Sequence, residues 1–354
     1  MNYLRWLLFP FSLLYGLAVV IRNWFYNAGI YQSREFDLPV IAVGNLDVGG
    51  AGKSPMTEYL IRLLKGNYKL ATLSRGYGRK TKGFLLANAK PTANEIGDEP
   101  AQFKNKFKNI TVAVAEKRVE GIEQLQDNHD LIILDDAYQH RAVKPGFSIL
   151  LFDYNRLAEP RLLLPAGNLR EPYSGRKRAN VIVVSKCPTG LDNHEQNAIK
   201  QRIDPLAQQY LFFTFISYSP LQAMDGTITD TVIDDDTIVF LLTGIANAGP
   251  LLAYLNKQTS RIVHHKYPDH HQFTLKNISK LADDFRACTS QKKLIITTEK
   301  DAQRLGEQEL LQVVTKLPVL VLPIGIEFLN NQQQQFDNLV TEYVREYRKH
   351  RPVH

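Results

Sequence analysis

The sequence predicts an α/β fold: a mainly parallel sheet with helices on both faces, a smaller C-terminal α/β unit, and an apolar N-terminal helix associated with a membrane. Three observations lead there. Short apolar runs bounded by turn residues alternate with helix-compatible stretches, the texture changes near residue 215, and the opening segment is too apolar for a solvated helix. With 354 residues, 44% of them hydrophobic, the chain can bury a full core without disulfide staples. Its two cysteines, Cys187 and Cys288, stand far apart with no paired spacing, which argues against a thiolate metal site and suits a reducing cytoplasm. The net charge of +7 favours an anionic partner by sign alone.

Taken in order, residues 6–21 ("WLLFPFSLLYGLAVVI") carry no charge and lie between Arg5 and Arg22. This is shorter than the ~20 residues of a bilayer span. Pro10 and Gly16 interrupt the run, the aromatics Tyr3, Trp6, Phe9, Trp24, Phe25 and Tyr26 crowd its ends, and no small-residue cleavage site follows closely. These features predict a helix dipping into one leaflet; a signal peptide and a buried amphipathic helix are the other readings. Buried strands are expected at "LPVIAVGN" (38–45), "YKLATLSRG" (68–76), "ITVAVA" (110–115), "DLIILDD" (130–136), "FSILLFD" (147–153) and "NVIVVSK" (180–186), with helices between several of them, as at 56–65 and 116–125. From about residue 213 the chain becomes rich in Thr, Asp and short alternating runs, and a second α/β unit follows. The expected divisions are a membrane helix at 1–28, a core at 29–215, a smaller unit at 216–330, and a final helix and tail at 331–354.

In such sheets ligands sit beyond the carboxyl ends of the strands, so the loops there carry the chemistry. The first, "NLDVGGAGKSP" (45–55), ends like a phosphate-binding loop, yet Asp47 stands where the usual spacing has its first glycine. Gly49, Gly50 and Gly52 let backbone N–H groups, including that of Ala51, curl around phosphate oxygens. Lys53 reaches the terminal phosphates and the Ser54 hydroxyl can hold Mg2+. The bland alternative is a glycine-rich turn. A phosphate loop needs a metal-orienting carboxylate on a neighbouring strand, and Asp135 and Asp136 stand there, although two acids also suit a turn cap. With these parts the fold class narrows to a P-loop NTPase-like sheet.

Asp98 and Glu99, before Pro100, read first as a helix opening, with catalysis or metal binding as the alternative. In "HHKYPDHH" (264–271), Asp269, His270 and His271 could tune a base, or the four histidines could bind a transition metal. Arg75, Arg79, Lys80, Lys117, Arg118 and Arg170 cluster at turns, each alone a solvated charge, together suited to several phosphates. Stacking aromatics are sparse among them, which argues against nucleic acid as partner.

In order along the chain, "VGNLDVGGAGKSP", "LSRGYGRK", "GDEP", "LDDAYQHR", "LLLPAGNLREP", "PDHH" and "TTEKDAQRL", after the apolar N-terminus, resemble the tetraacyldisaccharide 4'-kinase family of lipid A biosynthesis. The resemblance spans nearly the whole chain. Its members' loops also lack the first glycine, so Asp47 is a family variant. Ala51 and Ser54 stand where the family usually has Thr, and "DDAYQH" replaces DDGFQH; neither change removes a group the chemistry requires. The resemblance implies ATP and Mg2+, a tetraacyldisaccharide 1-phosphate acceptor, and a peripheral or monotopic location on the cytoplasmic face of the bacterial inner membrane. Arg5, Arg22 and Arg34 would there meet anionic headgroups. It assigns Lys53 and Ser54 to the triphosphate and Mg2+, Asp135 and Asp136 to the metal-orienting position, and Asp98 with His270, or else His271, to activation of the acceptor hydroxyl. Asn45, Tyr77, Glu99, Arg118, Gln139, His140, Arg170 and Glu171 are placed around the site, Glu99 also as a metal candidate. A membrane-bound nucleotide switch would use the same loop, but has no need of a carboxylate–histidine pair.

Overall fold

The structure, a computed structural model, describes residues 3–349. Its strands in chain order are β1 (Val40–Asn45), β2 (Leu70–Ser74), β3 (Leu85–Leu86), β4 (Thr111–Val114), β5 (Leu131–Asp135), β6 (Phe147–Asp153), β7 (Val181–Ser185), β8 (Tyr210–Tyr218), β9 (Gln222–Ala223), β10 (Ile238–Thr243), β11 (Ile262–Lys266), β12 (Lys293–Thr298), β13 (Val319–Leu322) and β14 (Ile324–Phe328). A nine-stranded sheet runs β14-β8-β7-β6-β1-β5-β2-β4-β3, parallel except where β3 and β14 close its edges. A five-stranded sheet runs β11-β10-β12-β13-β9, parallel except for β9.

Strand β1 is buried along its whole length, which is why it reads as a continuous apolar run rather than an alternating one. Ile41 and Val43 face a core shared with Met56, Leu60 and Leu64 of the Lys53–Leu64 helix, while Val40 and Ala42 face the opposite core with Ile122 and Leu125. The chain turns to one side of β1 for β2 and β4, and to the other for β6, β7 and β8. Such a switch point opens a crevice at the carboxyl end of β1, and the register that sets Val43 opposite Asp135 brings β5 to the same level.

The division between the units differs from the expected one at its far end. Strand β8 runs through Tyr218, and β14, expected with the smaller unit, returns to pair with it in the large sheet. Aromatic Phe328 packs there against Tyr59, Phe212 and Phe336, a large apolar surface that the core side supplies. The Gln333–Lys349 helix then lays Phe336, Val340 and Val344 into the first core; the expected tail beyond 349 lies outside the described residues.

At the N-terminus a 3-10 turn, Tyr3–Leu8, leads into a helix, Phe9–Asn27, with Pro10 in the first turn where its missing N–H costs nothing. The helix is longer than expected, and residues 5–27 are long and apolar enough to cross a membrane. Only Ser12, Gly16 and Val19 are buried, one narrow stripe, while Phe11, Leu13, Leu14, Leu17 and Trp24 stand more than half exposed. A buried amphipathic helix is thereby excluded. A Cβ on Gly16 would meet Leu163 Cδ1 at 2.8 Å, so glycine lets the helix approach the core closely. Ser12 Oγ donates to Leu163 O at 3.0 Å, Tyr15 OH to Arg170 O at 2.7 Å and Arg22 to Gln139 O at 2.5 Å. The apolar helix is therefore tied to the loops of the site.

Across the two units, Lys106 bridges Glu58 Oε2 at 2.6 Å and Glu299. Burial raises the Glu58 carboxyl above its ordinary value and Glu299 adds to the rise, opposed by Lys106. Lys106→Met leaves two buried carboxylates facing each other and is expected to destabilise the protein by about 3 kcal/mol or more. The check is the urea midpoint; an unchanged midpoint would contradict the bridge.

Candidate active site

Gly52 enters the Lys53–Leu64 helix at φ +82, a left-handed conformation that a side chain disfavours. Asp47 needs no glycine, because its φ is not positive and its backbone pairs with Leu169 in a short bridge. The loop is braced from outside: Ser185 Oγ donates to Ala51 O at 2.8 Å, and Lys186 contacts Gly50 O. Lys53 Nζ folds back onto Asn45 Oδ1 at 3.1 Å and Gly49 O at 3.4 Å, 3.6 Å from Asp136. Burial lowers the Lys53 pKa from its ordinary value, against the pull of Asp136. Its ammonium is held at the loop's mouth by neutral oxygens and one carboxylate that a phosphate can replace.

Asp135 ends β5 fully buried, accepting from Thr57 Oγ1 at 3.0 Å. Burial, then the charges of Asp136 and Glu99, push its carboxyl up to about 7. Asp136 holds a left-handed φ of 46, tolerable for Asp, and turns its carboxylate to Arg170 at 3.1 Å. Burial opposes its ionisation, but Lys53 and Arg170 outweigh burial and hold it below the usual carboxylate range. Arg170 also contacts Asn45 Oδ1 and the Asp47 carbonyl, the latter at 3.0 Å. Glu171, buried, accepts from Gln139 Nε2 at 3.0 Å and pairs with Arg178 at 2.9 Å. Gln139 in turn reaches the carbonyl of Asn45 at 2.7 Å. Buried Arg118 donates its backbone N–H to His140 Nε2 at 3.3 Å, and burial with nearby Arg118 presses the imidazole down to about 4. His140 is thus neutral at pH 7, an acceptor rather than a charge.

Opposite this crevice, Asp98 opens the Asp98–Lys106 helix, but its carboxylate does not cap it. Instead His270 Nδ1 lies 3.0 Å from Asp98 Oδ2, although the two residues come from different units. Burial opposes ionisation of Asp98, yet hydrogen bonds from His270 and Arg304 bring its pKa down to about 2. His270 has a left-handed φ of 57, its ring edge-on to exposed Tyr77 at 5.3 Å. His271 turns away, its Nε2 3.0 Å from Asn277 Oδ1 and its ring stacked on Tyr267. Glu99 pairs with Lys300 at 2.9 Å. Sequence reasoning assigned no role to Lys300 or Arg304; the only signal was their place in "TTEKDAQRL".

The transition-metal reading of the histidines is overturned: His264 bonds Thr243, His265 faces Asp284, and His270 and His271 diverge. Among the described residues no group of three or more His, Cys, Asp or Glu can hold a metal alone. That fits Mg2+, which takes one or two carboxylates and substrate phosphates rather than a protein cage. Burial, and after it the charges of Asp136 and Glu99, raise Asp135, and a cation there would favour its ionised form.

Comparison with known proteins gives this geometry its context. A family model described as Tetraacyldisaccharide-1-P 4'-kinase matches residues 4–345. The chain is similar to tetraacyldisaccharide 4'-kinases of Flavobacterium psychrophilum, 45% identical over 97% of this chain and 98% of the relative, and of Phocaeicola vulgatus, 43% identical over 96% and 95%. A crystal structure of LpxK from Aquifex aeolicus in complex with ATP superposes with a TM-score of 0.75 at 27% identity, covering 96% of this chain and 99% of that one. Motifs, architecture and relatives agree, and the chain belongs to the tetraacyldisaccharide-1-P 4'-kinase family.

Proposed function

We propose that the protein transfers the γ-phosphoryl group of ATP to the 4' hydroxyl of a tetraacyldisaccharide 1-phosphate, giving lipid IVA. The observation that carries the reading is the meeting of Asp98 from the nucleotide-binding unit with His270 of the second unit, which a nucleotide switch does not require. The amides of residues 49–52 and Lys53 hold the phosphates. Ser54 and Asp135, with Asp136 and Glu99 nearby, would hold Mg2+, which would supply charge neutralisation at the phosphoryl oxygens. Asp98 accepts the hydroxyl proton as the sugar oxygen bonds to phosphorus and the bond to ADP breaks; His270 orients the carboxylate. Arg170, Arg118, Gln139, His140, Glu171 and Tyr77 surround the acceptor and phosphates.

The acceptor carries four acyl chains, and the exposed apolar side of the N-terminal helix suits the membrane in which they lie. Because that helix is bonded to Arg170 and Gln139, the crevice is held at headgroup depth, on the cytoplasmic face where ATP is present. With γ-labelled ATP, Mg2+ and the acceptor in mixed micelles, label is expected in the extracted lipid. Label found only in inorganic phosphate would sink the kinase reading and favour the switch.

A further inference from the structure

The Glu299–Leu305 helix carries Lys300 and Arg304 one turn apart, hence on one face, and that face meets the Asp98–His270 pair from the second unit. Arg304 is 1% exposed, and each of its three nitrogens is engaged. Nε and Nη2 donate to Asp98 Oδ2 at 3.0 and 2.5 Å, while Nη1 donates to Gly244 O and Asp301 Oδ1, both at 2.9 Å. Asp301, buried beside it, balances its charge and is itself held by Gly244 N and Thr298 Oγ1. Four of its five N–H groups are so committed and the side chain is buried, which keeps it from reaching out to a phosphate.

The contacts on Asp98 are one-sided. His270 and both Arg304 donors converge on Oδ2, and Oδ1 has none of them. On the other side of the imidazole, Lys300 Nζ stands 3.2 Å from His270 Nε2 while pairing with Glu99; Asp269 lies farther, at 3.9 Å. An ammonium can only donate, so Nε2 accepts and the proton of the neutral ring sits on Nδ1, pointing at Asp98. Arg304 Nη2 approaches the same Nδ1 at 3.4 Å, the looser contact.

We infer that Arg304 and Lys300 are positioning residues: Arg304 occupies Asp98 Oδ2 so that Oδ1 alone is presented to the acceptor hydroxyl, and Lys300 fixes the His270 tautomer that supports it. The inference rests on the proposed role of Asp98. The hydroxyl proton then goes to Oδ1, the sugar oxygen forms its bond to phosphorus, and ADP leaves with the electrons of the broken bond. His270 keeps its own proton throughout.

The test is a double-mutant cycle between Arg304→Gln and Asp98→Asn, read as kcat and as KM for ATP in the label-transfer assay. Arg304→Gln alone is expected to lower kcat about 100-fold, the scale of a small misplacement of a reacting group, with KM for ATP unchanged. Arg304→Lys, which offers one point donor in place of a fork, is expected to recover only part of the loss. In an Asp98→Asn background, Arg304→Gln is expected to cost nothing further, because Arg304 acts through Asp98. A merely structural arginine would lower activity in both backgrounds, and that outcome overturns the inference, as does a folded Arg304→Gln enzyme with undiminished kcat. If Arg304→Gln does not fold, the pair Asp301→Asn with Arg304→Gln removes both buried charges and takes its place in the cycle. An Asp98→Asn enzyme of wild-type kcat would instead remove the base assignment itself, whereas an impaired one beside a normal Arg304→Gln removes only the inference.

Discussion

Asp98→Asn is expected to lower kcat about 100- to 10,000-fold, the range that removal of a general base covers. Asparagine keeps the size of the side chain and can still accept from Arg304 through its amide oxygen, so the fold and the closure of the two units are retained. What is lost is a carboxylate oxygen able to take the hydroxyl proton. Asp98 stands on the helix opposite the nucleotide loop, and none of its hydrogen bonds reaches Lys53, Asn45 or the loop backbone. KM for ATP is therefore expected to stay within a few-fold of wild type, while kcat falls for every lipid acceptor. Steady-state kinetics with ATP varied at saturating lipid separate the two. A loss confined to KM for ATP would place Asp98 in nucleotide binding and contradict the assignment.

Lys53→Met is expected to produce the second large loss, about 100- to 1,000-fold in kcat with a rise in KM for ATP, because the ammonium meets the phosphates both before and during transfer. Methionine fills the same channel without the charge, so packing of the loop is preserved. Asn45 and Asp136 then lose their contact with Lys53, though Arg170 remains beside both. Lys53→Arg is expected to be impaired as well, since its planar fork does not reproduce a compact point charge among three converging oxygens. Nucleotide binding measured by titration calorimetry alongside turnover tests this: unchanged turnover in Lys53→Met would remove the loop from the chemistry.

How much of this was legible depends on how far apart in sequence the interacting groups lie. The phosphate loop, the acids after β5 and the strands that carry them are local patterns, each within a dozen residues, and their alternation with helices specifies a parallel sheet. The family resemblance added what no local pattern holds, the pairing of Asp98 with a histidine of "PDHH"; by its own spacing Asp98 read as a helix cap. It favoured His270 with His271 as the second choice and did not settle between them, because that depends on which ring the left-handed backbone at 270 turns toward the cleft. Arg304 was silent for the same reason. A lysine and an arginine four residues apart on a helix read as a solvated face, and the acid that Arg304 meets lies 206 residues earlier. Strand β14 was assigned to the wrong unit because an apolar strand carries no mark of the sheet it joins; its partner β8 precedes it by the whole second unit.

Phosphoryl transfer to one hydroxyl of a membrane lipid leaves a single trace, the position of the new phosphate. The full-length protein would be incubated with ATP, Mg2+ and tetraacyldisaccharide 1-phosphate, and the recovered lipid examined by phosphorus–proton correlated NMR. A second phosphomonoester is expected, its phosphorus correlating with the proton on carbon 4' of the distal sugar. A phosphate found on another oxygen, or an unchanged lipid beside accumulated ADP and inorganic phosphate, would contradict it.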